Sequence, residues 1–287
     1  MKLALGTAQF GLDYGIANRN GRVSAAGVRE ILGVARQANI DTLDTAAAYG
    51  TSEEALGSAG VDDFSVVTKL PPIPEGVTQV SQWVERSIER SLASLGVTAL
   101  SAVLFHRPMQ LLDKQGEAAY DALLAVKARG AVGRVGISIY EPAELDALDG
   151  KLSFDLVQAP LNILDRRLIS SGWLERLGDQ GIEVHARSVF LQGLLLMQPR
   201  DRSAYFQPWE RKLERYDRWL AEHKLSALEA CLGFACHQPS VGRVIVGVES
   251  SSQLRALIAA IPQSGVEPPG ELETRDQGLI NPATWKL

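Results

Sequence analysis

Cysteine is almost missing from this 287-residue chain: only Cys231 and Cys236 occur, both within ALEACLGFACHQ. Five residues apart on a helix, they face different sides and have no third partner, so neither a disulfide framework nor a cysteine-based metal site is expected, only small buried apolar side chains. Histidine is scarce as well. The four present show no HxxxH or His–Cys spacing, and no metal site is expected. With a net charge of −5 and no run of Lys or Arg, the sequence offers nothing to nucleic acid or to an anionic membrane surface. No apolar run approaches the length that spans a bilayer. The opening MKLALGTAQFG has neither the basic region nor the long apolar stretch of a signal peptide, so a cytoplasmic location is expected. No linker, low-complexity tract or 20–50-residue repeat divides the chain, and 1–287 reads as a single domain.

What is present alternates. Apolar residues make up 46% and charged ones 22%, enough for a full core. Short Val/Ile/Leu-rich runs read as strands: 3–9, the run ending at Asp44, 64–70, 100–106, 134–139, 154–160, 182–188 and 242–248. They show little strict alternation, as strands covered on both faces do. Amphipathic stretches fill the gaps. Ser24 caps a helix with Val28, Ile31, Leu32 and Ala35 on one face, Thr51-Ser52-Glu53-Glu54 fits a capping box, and Thr78–Gly96 carries a long apolar stripe. Further helices are expected at about 116–129, 141–148, 171–179, 226–238 and 251–261. Eight strands alternating with eight helices predict a parallel (β/α)8 TIM barrel. Two segments exceed it: 192–225, with an extra helix after strand 7 and a candidate lid, and a loop-like tail from Ser264 to Leu287 that could close either end.

Asp44, Tyr49, Lys69 and His106 each lie at or just past the end of a strand-like run. A parallel barrel gathers the C-terminal strand ends into one ring, so the four are expected to meet. Asp44 and Lys69 taken alone read equally as a structural ion pair, because a buried ammonium needs a partner. Adding a phenol changes the chemistry: an adjacent ammonium favours the phenolate and moves a general acid toward the working pH. His106 can then orient a substrate oxygen.

At these motifs the chain resembles the aldo-keto reductase family over nearly its whole length. The matching pieces are LGTAQFGLDYG, DTLDTAAAYGTSEEALG, VVTKL, LFHRP, GRVGIS, VQAPLNILDRR, ARSVFLQGLL and VIVGVESSSQL. The resemblance implies a (β/α)8 barrel that reduces aldehydes or ketones with NADPH and without a metal, with Asp44, Tyr49, Lys69 and His106 as its catalytic tetrad. It further implies that Gly6 and Thr7 line the nicotinamide ribose, Ser138 and Gln158 hold the carboxamide, Gln192, Gly193 and Leu194 follow the pyrophosphate, and Ser250 and Gln253 lie by the adenosine phosphate. A small-molecule carbonyl compound is the expected partner; oligomeric state is not legible.

The chain departs from the family pattern at four places. Ile139, followed by Tyr140, replaces the usual Asn after the carboxamide Ser. Arg187 stands where an aromatic ring commonly stacks on nicotinamide; its planar guanidinium can stack too, but its charge should disfavour the oxidised ring unless a carboxylate such as Glu183 neutralises it. Glu249 replaces the usual cation at the 2′-phosphate, which makes NADH possible unless Arg243 or Arg255 compensates. The N-terminal hairpin that plugs many such barrels is absent or replaced. Two other readings stay open: a cofactor-binding regulatory barrel with little turnover, and a nicotinamide-dependent enzyme modifying a sugar or nucleotide-sugar. Residues 10–23, 107–115, the 192–225 insertion and the tail are the candidate pocket walls, with Phe10, Tyr14, Trp209 and Trp285 as possible apolar surfaces.

Overall fold

The computed structural model describes residues 2–286. Strands β1 (Leu3–Gly6), β2 (Thr42–Asp44), β3 (Ser65–Leu70), β4 (Leu100–Phe105), β5 (Val132–Ser138), β6 (Leu156–Pro160), β7 (Glu183–Arg187) and β8 (Val241–Gly247) pair in parallel, in sequence order, and β8 closes on β1. Helices Ala25–Gln37, Ser52–Ala59, Val80–Leu95, Gly116–Ala128, Pro142–Leu148, Trp173–Asp179, Ala227–Cys236 and Ser251–Ala259 follow successive strands, giving the (β/α)8 barrel.

Outward strand residues such as Leu5, Leu43, Val66, Val103, Ile137, Val157 and Val246 join the helix stripes in one large core. Inside, Val67, Ala102, Leu104 and Leu156 form a separate small apolar cluster. Side chains alternate along each strand, so the inward set continues two residues on from these: Lys69, His106 and Gln158. Apolar filling thus occupies the middle of the barrel and polar chemistry its C-terminal rim.

The N-terminal mouth is crossed by charged side chains from non-adjacent strands. Arg134 on β5 pairs with Glu183 on β7, and Arg243 on β8 donates to Thr42 Oγ1 (3.1 Å) and to Asp41 (3.2 Å). The fully buried His185 shares 2.9 Å with Glu183 through Nε2, while its Nδ1 has no partner among the described residues. These groups fill the N-terminal mouth with paired charges. They also correct two expectations. Arg243 and Glu183 sit at the end of the barrel opposite the strand termini that carry Glu249 and Arg187, so neither can compensate those departures.

Ser24 caps its helix by accepting from the Gly27 amide (3.2 Å), and Val28, Ile31, Leu32 and Ala35 are buried as the spacing requires. The capping box at Thr51 does not form. Thr51 adopts φ −94°, ψ 19° rather than the extended conformation a capping side chain needs, and it makes no cap bond. Glu53 turns inward instead, accepting from Thr68 Oγ1 at 2.6 Å and Ser91 Oγ at 3.1 Å. That buried carboxylate ties the helix to β3 and to helix Val80–Leu95. The helix expected over 171–179 is present as Trp173–Asp179, and a separate short helix, Arg167–Ser170, precedes it with Gly172 at φ 80° between them.

The insertion and the tail pack on each other. Helix Glu210–His223 presents Lys212 Nζ to the carbonyls of Glu271 and Glu273, Trp209 Nε1 donates to Asp276 (2.8 Å), and the Tyr205 hydroxyl donates to the Gly278 carbonyl (3.1 Å). Thr274 and Gln277 bond to Leu164 and Glu141, both beyond C-terminal strand ends, so the tail lies on that face. We expect Glu53→Ala to strand two buried hydroxyls and cost about 2–3 kcal/mol, lowering Tm by several degrees in calorimetry. A loss below about 0.5 kcal/mol would show that water replaces the carboxylate at no cost.

Candidate active site

Lys69, 1% exposed, ends the inward row of β3. Its three ammonium donors are all used: Asp44 Oδ1 at 2.9 Å, Asp44 Oδ2 at 2.8 Å and the Thr45 carbonyl at 2.8 Å. Burial acts to lower the ammonium pKa, but the Asp44 charge, with Tyr49 adding to it, outweighs burial and the net shift is upward. Asp44 also accepts from Gln158 Nε2 at 2.7 Å, and Gln158 Oε1 accepts from Ser138 Oγ at 3.2 Å. One hydrogen-bonded chain therefore runs Ser138–Gln158–Asp44–Lys69 across four strands.

Tyr49 is placed by two successive turns, its amide donating to the Ala46 carbonyl (2.9 Å) and its own carbonyl accepting from Ser52 (3.1 Å). The loop can press this close only because Gly11 and Gly50 face each other. A Cβ on Gly11 would overlap the Tyr49 carbonyl oxygen, and Gly50 holds φ 56° against the Gly11 carbonyl. Lys69 Nζ then lies 4.9 Å from the Tyr49 ring centroid, and the His106 imidazole meets that ring edge-on at 6.1 Å. The His106 pKa is pushed down to about 4, first by burial and then by the Lys69, Arg187 and Arg107 charges. At neutral pH it is an uncharged hydrogen-bond donor. The four residues expected to meet do meet.

Above them opens a cavity of about 580 Å³. Gly6, Thr7, Ser138, Gln158, Arg187, Gln192, Gly193, Glu249 and Gln253 line it, together with Asp44, Tyr49 and His106. Thr7 spends its hydroxyl on the Asp44 carbonyl (3.0 Å) while accepting from Ser52 Oγ (2.9 Å). Leu194 does not reach the cavity: its side chain is fully buried in the core. Nor does Ser250 line it, since its hydroxyl caps helix Ser251–Ala259 by accepting from the Gln253 amide (3.2 Å). Glu249 accepts from Asn20 at 3.3 Å and Gln253 Oε1 from the Glu249 amide at 2.7 Å.

Of the expected walls, residues 10–23 contribute Tyr14, Gly15, Ala17 and Asn18, and the tail contributes Pro282 and Ala283. The 107–115 segment contributes none, and from the insertion only Gln192, Gly193 and Leu196 appear; helix Glu210–His223 is no lid. Trp209 and Trp285 pack against the insertion instead, Trp285 edge-on to Phe206 at 5.0 Å. The first loop closes over the seventh: Gln192 Nε2 donates to the Tyr14 hydroxyl (3.3 Å), and Ala17 occupies the space a Gly193 Cβ would need. Burial raises the Tyr14 pKa, Tyr49 adds to the shift and Arg187 opposes it.

Reading by sequence missed the Gln158–Asp44 bond, the Thr7–Ser52 bonds and the part played by Tyr140. Arg187 lies over the Tyr140 ring at 4.8 Å and donates to the Ile139 carbonyl at 2.8 Å. A Tyr flanked by Arg at two strand ends was the available signal, but only the fold shows that they touch.

Residues 2–264 match the Aldo/keto reductase family model, and the chain belongs to that family. It is an NAD(P)H-dependent oxidoreductase. Its relatives include an uncharacterised oxidoreductase, YqkF, of Bacillus subtilis, 25% identical over 250 residues covering 80% of each chain. Another is the 6-dehydroglucose reductase of Agrobacterium fabrum, 30% identical over 169 residues, 52% of this chain and 56% of that one. Among solved structures, the aldo-keto reductase AKR11C1 of Bacillus halodurans superposes with a TM-score of 0.73 at 19% identity, covering 93% of this chain and 88% of that one. An aldo-keto reductase of Pseudomonas aeruginosa gives 0.66 at 24% identity, covering 90% and 88%.

An NMR titration should give His106 a midpoint at about 4, against about 6.5 in the unfolded chain. Between those values the unfolded chain binds more protons, so native stability falls as pH drops from about 6.5 to 4. The buried His185, also pushed down to about 4, acts in the same direction. A His106 midpoint near 6.5 would contradict its neutrality.

Proposed function

We propose that the protein reduces an aldehyde or ketone carbonyl, with Tyr49 as the proton donor. The observation that carries this reading is the Lys69 ammonium, locked by Asp44 beneath Tyr49, with a neutral His106 against the same phenol ring. A neutral imidazole is a poor acid, which leaves proton delivery to the phenol. His106 donates a hydrogen bond to the carbonyl oxygen and fixes its direction. Lys69 stabilises the phenolate left when Tyr49 gives up its proton, and Asp44 keeps the ammonium charged and in place.

The cavity residues suit a nicotinamide dinucleotide. Ser138 and Gln158 present a hydroxyl and an amide for a carboxamide, with Gly6, Thr7 and Arg187 around them. Ser188, Leu191 and Gln192 all hold positive φ, between 48° and 58°, ahead of Gly193. Three strained non-glycine residues in one loop support its reading as a ligand loop, here for a pyrophosphate. When bound, the cofactor supplies the hydride that reaches the carbonyl carbon. At the far end Glu249 would repel a 2′-phosphate and can accept from a ribose 2′-hydroxyl. With Arg243 at the opposite mouth, Arg255 is the remaining expected cation near Glu249, and we infer NADPH use with weak discrimination against NADH. The A. fabrum relative's name points to a sugar carbonyl as the substrate class to test beside simple aldehydes.

Tyr49→Phe should lower carbonyl reduction by about 10²-fold or more while fluorescence titration shows nearly unchanged cofactor affinity. Turnover close to wild type would sink the assignment. Glu249→Lys should raise the ratio of kcat/KM for NADPH to that for NADH. An unchanged ratio would place Glu249 away from the adenosine.

A further inference from the structure

Among the arginines of the C-terminal rim, four lie at or just past the ends of β4, β6 and β7, in two different conditions. Arg167 is committed: its guanidinium makes two 2.8 Å bonds to Asp165 and approaches Glu141 at 3.6 Å. Arg166 is committed to the Pro268 and Pro269 carbonyls, at 3.1 and 2.8 Å. Arg107 and Arg187 differ. Neither has a carboxylate within salt-bridge distance among the described residues. Arg187 uses one nitrogen on the Ile139 carbonyl and another on Ser188 Oγ (3.1 Å), both neutral acceptors.

Both unpaired guanidinium groups rest on one ring. Arg187 Cζ lies 4.8 Å and Arg107 Cζ 5.3 Å from the centroid of Tyr140. The two guanidinium carbons are therefore at most about 10 Å apart, against a Debye length of about 8 Å at physiological salt. Cation–π contact with a shared phenol ring holds them there without neutralising them. Of the carboxylates of this rim, Asp165 and Glu141 are taken by Arg167 and Asp44 by Lys69, while Glu144 accepts from the Tyr140 and Glu141 amides and Glu249 from Asn20. Two like charges held together in a protein of net charge −5 form a local positive site without its anion. Both charges also act on His106, which places them beside the reacting centre.

We propose that Arg187, which lines the cavity, and Arg107, which lies outside its lining but against the same Tyr140 ring, form an anion subsite that selects carbonyl substrates bearing a carboxylate or phosphate group. Planar guanidinium forks match either anion in two-point hydrogen bonds, and those bonds to charged oxygens are the strong class. The subsite rests on the reduction reading for its neighbour, the carbonyl held at Tyr49 and His106. It adds what sits at the substrate's other end: an acidic group, as in a semialdehyde or a phosphorylated aldose. The Arg187 charge, out of place against a cationic nicotinamide, then has a counter-ion supplied by the substrate.

The test has a binding arm that does not depend on turnover. Calorimetric titration of the cofactor-loaded protein with glutarate, with inorganic phosphate and with neutral glutaramide should show saturable binding of at least one anion and none of the diamide. Arg107→Met and Arg187→Met should each weaken that binding about tenfold or more, and Arg107→Lys should recover part of it. Which anion binds more tightly decides between carboxylate and phosphate. In the turnover arm, kcat/KM for 5-oxopentanoate against pentanal, and for glyceraldehyde 3-phosphate against glyceraldehyde, should favour the charged member at least tenfold in the wild type. That preference should collapse in Arg107→Met, through KM, and shrink with added salt. Absence of anion binding, binding unchanged in both Met variants, or equal use of charged and neutral aldehydes would overturn the subsite. Failure to reduce any carbonyl while anion binding persists would strike the reduction reading instead.

Discussion

A charged ammonium with 1% of its surface exposed stands at the centre of this molecule, and its surroundings are arranged to keep it charged. Removing Lys69 from water is costly unless its charge and its donors are matched, and Asp44 with the Thr45 carbonyl matches all three donors. Asp44 is held in turn by Gln158 and Gln158 by Ser138, so one ion pair fixes side chains from β2, β3, β5 and β6 relative to each other. Truncating one partner of such a pair typically costs about 3–5 kcal/mol, because the other is left buried and alone. The geometry of the reacting phenol is thus secured by the same interaction that makes the rim affordable to fold.

Burial divides the titratable groups of the barrel into two kinds. The ammonium of Lys69 stays charged because a carboxylate lies in contact with it. The imidazoles of His106 and His185 are pushed down to about 4 because burial and surrounding cations act together on them. At the N-terminal mouth the same rule operates without chemistry: Arg134, Glu183, Arg243 and Asp41 pair with one another and close the barrel. Both ends are polar, but among the described residues Arg107 and Arg187 at the C-terminal end make no ion pair.

Much of this was legible in the sequence. Eight Val/Ile/Leu runs mark the strands, three of them ending at or beside Asp44, Lys69 and His106, and alternation in a closed barrel does the rest. The weak alternation of the runs in β3, β4 and β6 has a simple origin: inward positions are apolar at Val67, Leu104 and Leu156 and polar only two residues later, whereas β7 alternates through Glu183, His185 and Arg187. Proximity in sequence misled where strands are long. Arg243 and Glu249 are six residues apart, about 20 Å along a strand, and so lie near opposite mouths; Glu183 and Arg187 are separated in the same way. Local motifs misled where tertiary packing offered a better partner, as when Glu53 left its own helix for Thr68 and Ser91. Contacts between loops, such as Tyr14 with Gln192 or Tyr140 with Arg107 and Arg187, leave no local periodicity to read.

The insertion and the tail lie far apart in the sequence, yet they are fastened to each other through Trp209–Asp276, Tyr205–Gly278 and the carbonyls gathered by Lys212. Neither segment supplies a member of the tetrad. For divergence this couples two stretches of sequence into one inherited unit: a change in either is tolerated only as far as the other accommodates it. The pair can drift together, reshaping the approach to the cavity, while the eight strands and the ion pair beneath them stay as they are.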